Sequence, residues 1–98
     1  MWDNDDWARA HINKRHPDVS TKDAWEVVFE VKGIALVSPD QYRFPPYRRY
    51  WMIGHTHAGR KLLVVWEQWR GIKNLITAYP PNEEQVRAYE AKTKKGRR

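Results

Sequence analysis

Apolar and polar positions change period twice along this chain, from helical spacing in the first third to strand-like runs in the middle and back again at the end. Trp7, Ala8, His11, Ile12 and Arg15 fall along one side of a helix predicted from about Asp5 to Arg15. Asp3 and Asn4 are its expected caps, Asp5 and Asp6 suit the positive end of its dipole, and Pro17 ends it by disfavouring helical geometry at His16. Ser20 or Thr21, followed by Asp23, opens a second, short helix. Its apolar stripe is Ala24, Trp25, Val28 and Phe29, and it ends between Glu30 and Gly33.

Ile34 to Ser38 is a compact apolar run that predicts a first strand, closed by Pro39-Asp40, and the segment QYRFPPY reads as a loop. Three further strands are predicted at Arg48 to Thr56, Lys61 to about Trp69 and Lys73 to Tyr79, with turns at Ala58-Gly59 and at Gly71. Pro80-Pro81 stops the last strand, and Asn82 caps a final helix through Glu83, Val86 and Tyr89. The expected architecture is α+β: two N-terminal helices, a four-stranded antiparallel meander sheet and a C-terminal helix. Residues 1–91 form a single domain in this reading, and residues 92–98 a basic, disordered tail.

Composition narrows the picture. The 98 residues are 41% hydrophobic with six Trp, enough apolar area for one modest core. The absence of cysteine rules out disulfides and thiolate metal sites. The opening MWDNDDWARA carries acids where a signal peptide has bases, and no apolar run approaches the roughly 20 residues of a membrane helix. A soluble, cytoplasmic protein with no membrane partner is expected.

Charge changes the picture more. The formal net charge is +6, but residues 1–40 carry five bases against eight acids, whereas Gln41 to Tyr79 carries seven bases against the single acid Glu67. A strand block that basic attracts polyanions. Alternation along a strand places Arg49, Trp51, Ile53 and His55 on one face and Arg48, Tyr50 and Met52 on the other. In the last strand it groups Lys73, Leu75, Thr77 and Tyr79 opposite Asn74, Ile76 and Ala78.

Metal-free cleavage of RNA needs a group to deprotonate a ribose 2′-hydroxyl, cations to stabilise the crowded phosphate, and a group to protonate the leaving oxygen. Imidazole, phenol, guanidinium and ammonium suffice. His16 stands where helix gives way to loop, placed either to reach a cleft or to cap and pack. Arg49 is the candidate phosphate clamp, with a guanidinium fork able to grip two oxygens. His55 and His57 are the only paired histidines, and two imidazoles without carboxylates make a poor zinc site, so neither metal nor cofactor is expected. Tyr42, Phe44, Tyr47 and Tyr50 interleave with Arg43, Arg48 and Arg49, a mixture that either stacks unpaired bases or pins the loop to the core. Trp25, Trp51 and Trp66 are expected in the core, with Trp2, Trp7 and Trp69 partly exposed.

The ordered residues resemble those of the BrnT-type toxins, within the larger RelE-like and barnase/EndoU/colicin-like group of small ribonucleases. The resemblance runs over Trp2-Asp3, His11-Ile12, Arg15-His16, Val19-Ser20 and Ala24 to Phe29. It continues through Arg49-Tyr50, Ile53-Gly54, Thr56, Gly59-Arg60, Leu62, Val64-Val65, Ile76-Thr77-Ala78, Glu84 and Tyr89. Pro17 and Asp18 stand where that family usually has glycine after the histidine, and Tyr79 where a basic residue often follows the Ser/Thr-Ala pair.

The resemblance implies a RelE-like fold, metal-independent endoribonuclease activity in a type II toxin–antitoxin pair, and a cognate antitoxin protein as partner alongside RNA. Matched position by position, the catalytic set falls on His16, Arg49 and Thr77, with Tyr79 added from the strand ending of the wider nuclease group. Lys73, Arg48, Arg60 and Arg70 are the expected RNA- and phosphate-binding cations. The competing expectation is a non-catalytic RNA-binding or protein-interaction module of the same fold.

Overall fold

The first helix, α1 (Asp5–Arg15), turns its alanine and isoleucine inward: Ala8 and Ile12 are fully buried. The computed structural model describes residues 1–36 and 48–95, so the end of the expected first strand with Pro39-Asp40, the segment QYRFPPY expected to be a loop, and the chain from residue 96 lie outside the described residues. Asn4 occupies the N-cap position without a side-chain capping bond. Its amide instead donates to the Leu75 carbonyl (2.9 Å) and accepts from the Leu75 N–H (2.8 Å). Asp3 does the same one step away, its backbone N–H donating to the Lys73 carbonyl (2.8 Å) and its carboxylate accepting from the Lys73 N–H (2.6 Å). The expected caps therefore serve as a substitute strand, because an unpaired sheet edge needs partners for its peptide groups more than a solvated helix end does.

Ser20 opens α2 (Thr21–Trp25) through a capping box with Asp23, as its spacing predicts. The helix continues as a π-helical segment, Glu26–Val31, and Lys32 closes it in the left-handed region (φ 62°). Then come β1 (Ile34–Leu36), β2 (Arg48–His55), β3 (Lys61–Trp69), β4 (Ile72–Tyr79) and α3 (Glu83–Lys95). Asn82 and Gln85 cap α3 reciprocally, each side-chain oxygen accepting from the other's backbone N–H at 2.8–2.9 Å. The helix runs on through Lys95, into the stretch expected to be tail, because Ala91, Lys92, Lys94 and Lys95 favour helix and no breaker intervenes before Gly96.

β2, β3 and β4 form a long antiparallel sheet, with the three-residue β1 paired along the β2 edge in the order β1-β2-β3-β4. The β3–β4 connection is a two-residue turn, Arg70-Gly71, in which both φ angles are positive (48° and 82°), the geometry that matches strand twist. Where the π-helical segment returns to the sheet, Gly33 and Gly54 touch backbone to backbone. A Cβ on Gly33 would lie 2.4 Å from the Ile53 carbonyl oxygen.

The sheet has two unlike faces. On the inner face Leu62, Val64, Trp66, Leu75 and Ala78 pack against Trp2, Ala8, Ile12, Ala24, Val27 and Val28. Each large aliphatic side chain so enclosed stabilises the fold by about 1.5–3 kcal/mol. Trp2 is buried here, not partly exposed as expected: it meets Trp25 edge-on (5.3 Å) and its indole N–H donates to the Thr21 carbonyl (3.0 Å). On the outer face Ile53, Leu63 and Val65 form a smaller cluster with Trp51, Ile76, Tyr79 and the α3 residue Tyr89. No helix among the described residues is long and apolar enough to cross a membrane.

Candidate nucleic-acid interface

Strand register decides which predicted residues can meet. Cross-strand partners share a face, so Arg49, Glu67 and Asn74 form one row of the outer face, Trp51, Val65 and Thr77 the next, and Ile53, Leu63 and Tyr79 a third. Pairing shifts between Val65 and Trp66: Val65 faces Thr77, Trp66 faces Leu75, and Ile76 is left opposite no residue. This bulge corrects the simple alternation expected of β4. Lys73 and Leu75 lie on the inner side, while Thr77 and Tyr79 turn outward, because one extra residue reverses the phase of everything beyond it.

His16 reaches this face from the other side of the sheet. Its N–H donates to the Ile12 carbonyl (2.6 Å) and its own carbonyl accepts from Val19 (3.0 Å), which holds the residue at the joint between α1 and the turn. From there the imidazole stacks on the Tyr79 ring, centroids 5.7 Å apart and planes at 28°. Both residues are half-buried. Thr77 lies two residues from Tyr79 on the same face, so His16, Tyr79 and Thr77 are gathered around the outer margin of β4.

Arg49 is on the same face but not in the same place. It sits four residues along β2 from Ile53, the residue aligned with Tyr79, a separation of about 13 Å. Its guanidinium donates to the Glu67 carboxylate at 2.8 Å, with both side chains largely shielded. Glu67 was not singled out as a site residue from sequence. The available signal was its being the one acid in the basic block.

The remaining expected phosphate ligands disperse. Arg48 faces Gln68 on the inner side at the exposed end of β2. Arg60, at the β2–β3 connection, bonds the Asp18 carboxylate (2.7 Å) and the Asp18 carbonyl. A hydrogen bond from Asp18's own backbone, and then the Arg60 pairing, hold the Asp18 carboxyl below its ordinary value of 3.8. Arg70 lies over the Trp69 ring (4.2 Å) at the opposite tip, and Lys73 extends toward Phe29 on the inner side (5.5 Å). Sequence clustering of cations is thus not spatial clustering.

The histidines of the β2–β3 connection are engaged locally. His57 is 2.8 Å from the Glu30 carboxylate and its backbone N–H donates to Glu26 (3.0 Å), while His55 Nδ1 contacts the Thr56 carbonyl (3.0 Å). Among the described residues no three His, Asp or Glu side chains gather as a metal site. A separate cleft of about 740 Å³ lies between α1 and the segment 17–22, lined by Asp6, Arg9, Asn13, Asp18 and Lys22, on the flank of α1 away from β4. The chain matches no family model, no curated protein and no solved structure.

Proposed function

We propose that this protein is a metal-independent endoribonuclease of the toxin type, acting through the outer margin of β4. The stacked His16–Tyr79 pair beside Thr77 is the observation that carries the proposal: two groups able to exchange protons stand at the border of a basic protein's sheet. The His16 imidazole takes the proton of a ribose 2′-hydroxyl, whose oxygen attacks the adjacent phosphorus. The bond to the 5′-oxygen breaks as Tyr79 supplies a proton to it, leaving a 2′,3′-cyclic phosphate and a free 5′-hydroxyl. Thr77 orients a non-bridging phosphate oxygen. Arg49, fixed by Glu67, lies too far along the strand for the same phosphate and instead holds another phosphate of the strand.

The α+β arrangement and the residue order together support a RelE-like, BrnT-type assignment, with an antitoxin as the protein partner. The separation of Arg49 from the His16–Tyr79 pair favours a second reading, an RNA-binding module without cleavage. Purified protein incubated with mixed-sequence RNA in excess chelator separates the two. Cleavage is expected, falling by about 10²–10⁴-fold in His16→Ala. Salt-sensitive binding with intact RNA over a long incubation would instead establish the binding module.

A further inference from the structure

The aromatic stack on α1 stands outside both core clusters. Trp7 is 53% exposed, and its indole lies flat on the His11 imidazole, centroids 4.8 Å apart and planes at 9°. A core residue would be covered; this pair is presented. Parallel stacking on His11 also holds the indole in one orientation, which lowers the entropy lost when a further ring joins it.

Helical geometry states where the pair points. With about 100° per residue, and Ala8 and Ile12 turned to the core, Asn4, Trp7, His11 and Lys14 fall on one flank of α1, and Asp5, Arg9 and Asn13 on the other. Asn4 bonds both peptide groups of Leu75, so its flank is the one that runs along β4. At the far end of the same helix His16 stacks on Tyr79. The order along this border is therefore the Trp7–His11 stack, the basic last turn with Lys14 and Arg15, and then the His16–Tyr79 pair. The helix acids stand elsewhere: Asp5 is paired with Arg9 (2.7 Å) on the opposite flank, and Asp6 lines the cleft there.

We infer that Trp7, backed by His11, is a stacking platform for an unpaired nucleobase, one end of a single-stranded RNA track that leads past Lys14 and Arg15 to the His16–Tyr79 pair. The inference rests on the RNA reading above and deepens it by naming the substrate class as single-stranded RNA held at a base outside the cleaved linkage. Charge decides for RNA over an apolar protein surface, since cations follow the exposed rings along the flank. Every base has a π-face, so the platform contributes affinity without strong sequence preference.

The test is fluorescence anisotropy of a labelled, mixed-sequence single-stranded RNA carrying 2′-fluoro groups in place of every 2′-hydroxyl, which removes the nucleophile and keeps the probe intact. Trp7→Ala is expected to weaken binding about 5- to 100-fold. Trp7→Phe, which keeps a ring, should stay within about threefold of wild type. Wild-type affinity in Trp7→Ala overturns the platform while leaving the ribonuclease reading standing. Absence of binding by the wild type overturns both. Sedimentation in which Trp7→Ala turns a dimer into a monomer, with RNA affinity unchanged, would reassign the stack to self-association and overturn the proposal. The substituted side chain is exposed, so circular dichroism should show an intact fold in both variants.

Discussion

The inner and outer faces of the sheet are made from the same three strands yet are closed to different degrees. Inside, Leu62, Val64, Trp66, Leu75 and Ala78 meet two helical segments and are almost wholly removed from water. Outside, among the described residues, Ile53, Leu63 and Val65 are buried, and Trp51, Ile76, Thr77, Tyr79, Arg49 and Glu67 remain half-buried. Adjacent residues of one strand therefore differ: Ala78 is buried in the core, while Thr77 and Tyr79 on either side of it stay partly open to solvent. A pleated strand makes that division available at every second residue, and the bulge at Ile76 sets which residues of β4 fall on which side.

The comparison breaks most sharply under a cavity on the inner face. Leu62→Ala should cost about 2–5 kcal/mol of stability, read as a lower urea midpoint, with the RNA affinity of the still-folded protein unchanged. A smaller effect sharpens the outer face. Arg49→Ala should reduce the slope of log Kd for RNA against log salt by about 0.7, the loss of one phosphate contact to a single strand, whereas Lys73→Ala on the inner side should leave it in place. Equal slopes for both variants would remove the functional distinction between the faces.

The smallest expected effect lies at the β2–β3 connection, which belongs to neither face. Asp18 is held below its ordinary value in the folded protein, so its contribution is complete above about pH 3.8 and disappears as pH falls through the lower folded value. Thermal melts of wild type and Asp18→Asn should differ slightly near pH 5 and converge on further acidification. A gap that widens toward low pH would contradict the lowered Asp18 carboxyl.

Much of this architecture is legible in local residues. Pro17, the Ser20–Asp23 box, Gly71 and Asn82 mark element ends because capping and turn geometry depend on a few neighbouring side chains. The burial of Trp2 was not legible, because its indole is satisfied by a carbonyl nineteen residues away. Nor was the second use of Asp3 and Asn4, whose capping chemistry and edge-pairing chemistry look alike until β4 is alongside. Of the residues expected at a site, the structure brings His16, Thr77 and Tyr79 together, whereas Arg49 shares their face at a distance and Lys73 does not share it.

Periodicity, breakers and counted charge suffice to place the helices and strands, to set Ala8 and Ile12 on one side of α1 together with Trp7, His11 and Arg15, and to make the middle of the chain basic. Packing was needed for the rest: which members of that α1 stripe are buried, the phase of β4 beyond its bulge, the pairing of Arg49 with Glu67, and the dispersal of Arg60, Arg70 and Lys73 to three separate places. The reason is that register and bulges are settled between strands, by which hydrogen-bonded alignment buries the most apolar surface, and no local run of residues contains that comparison.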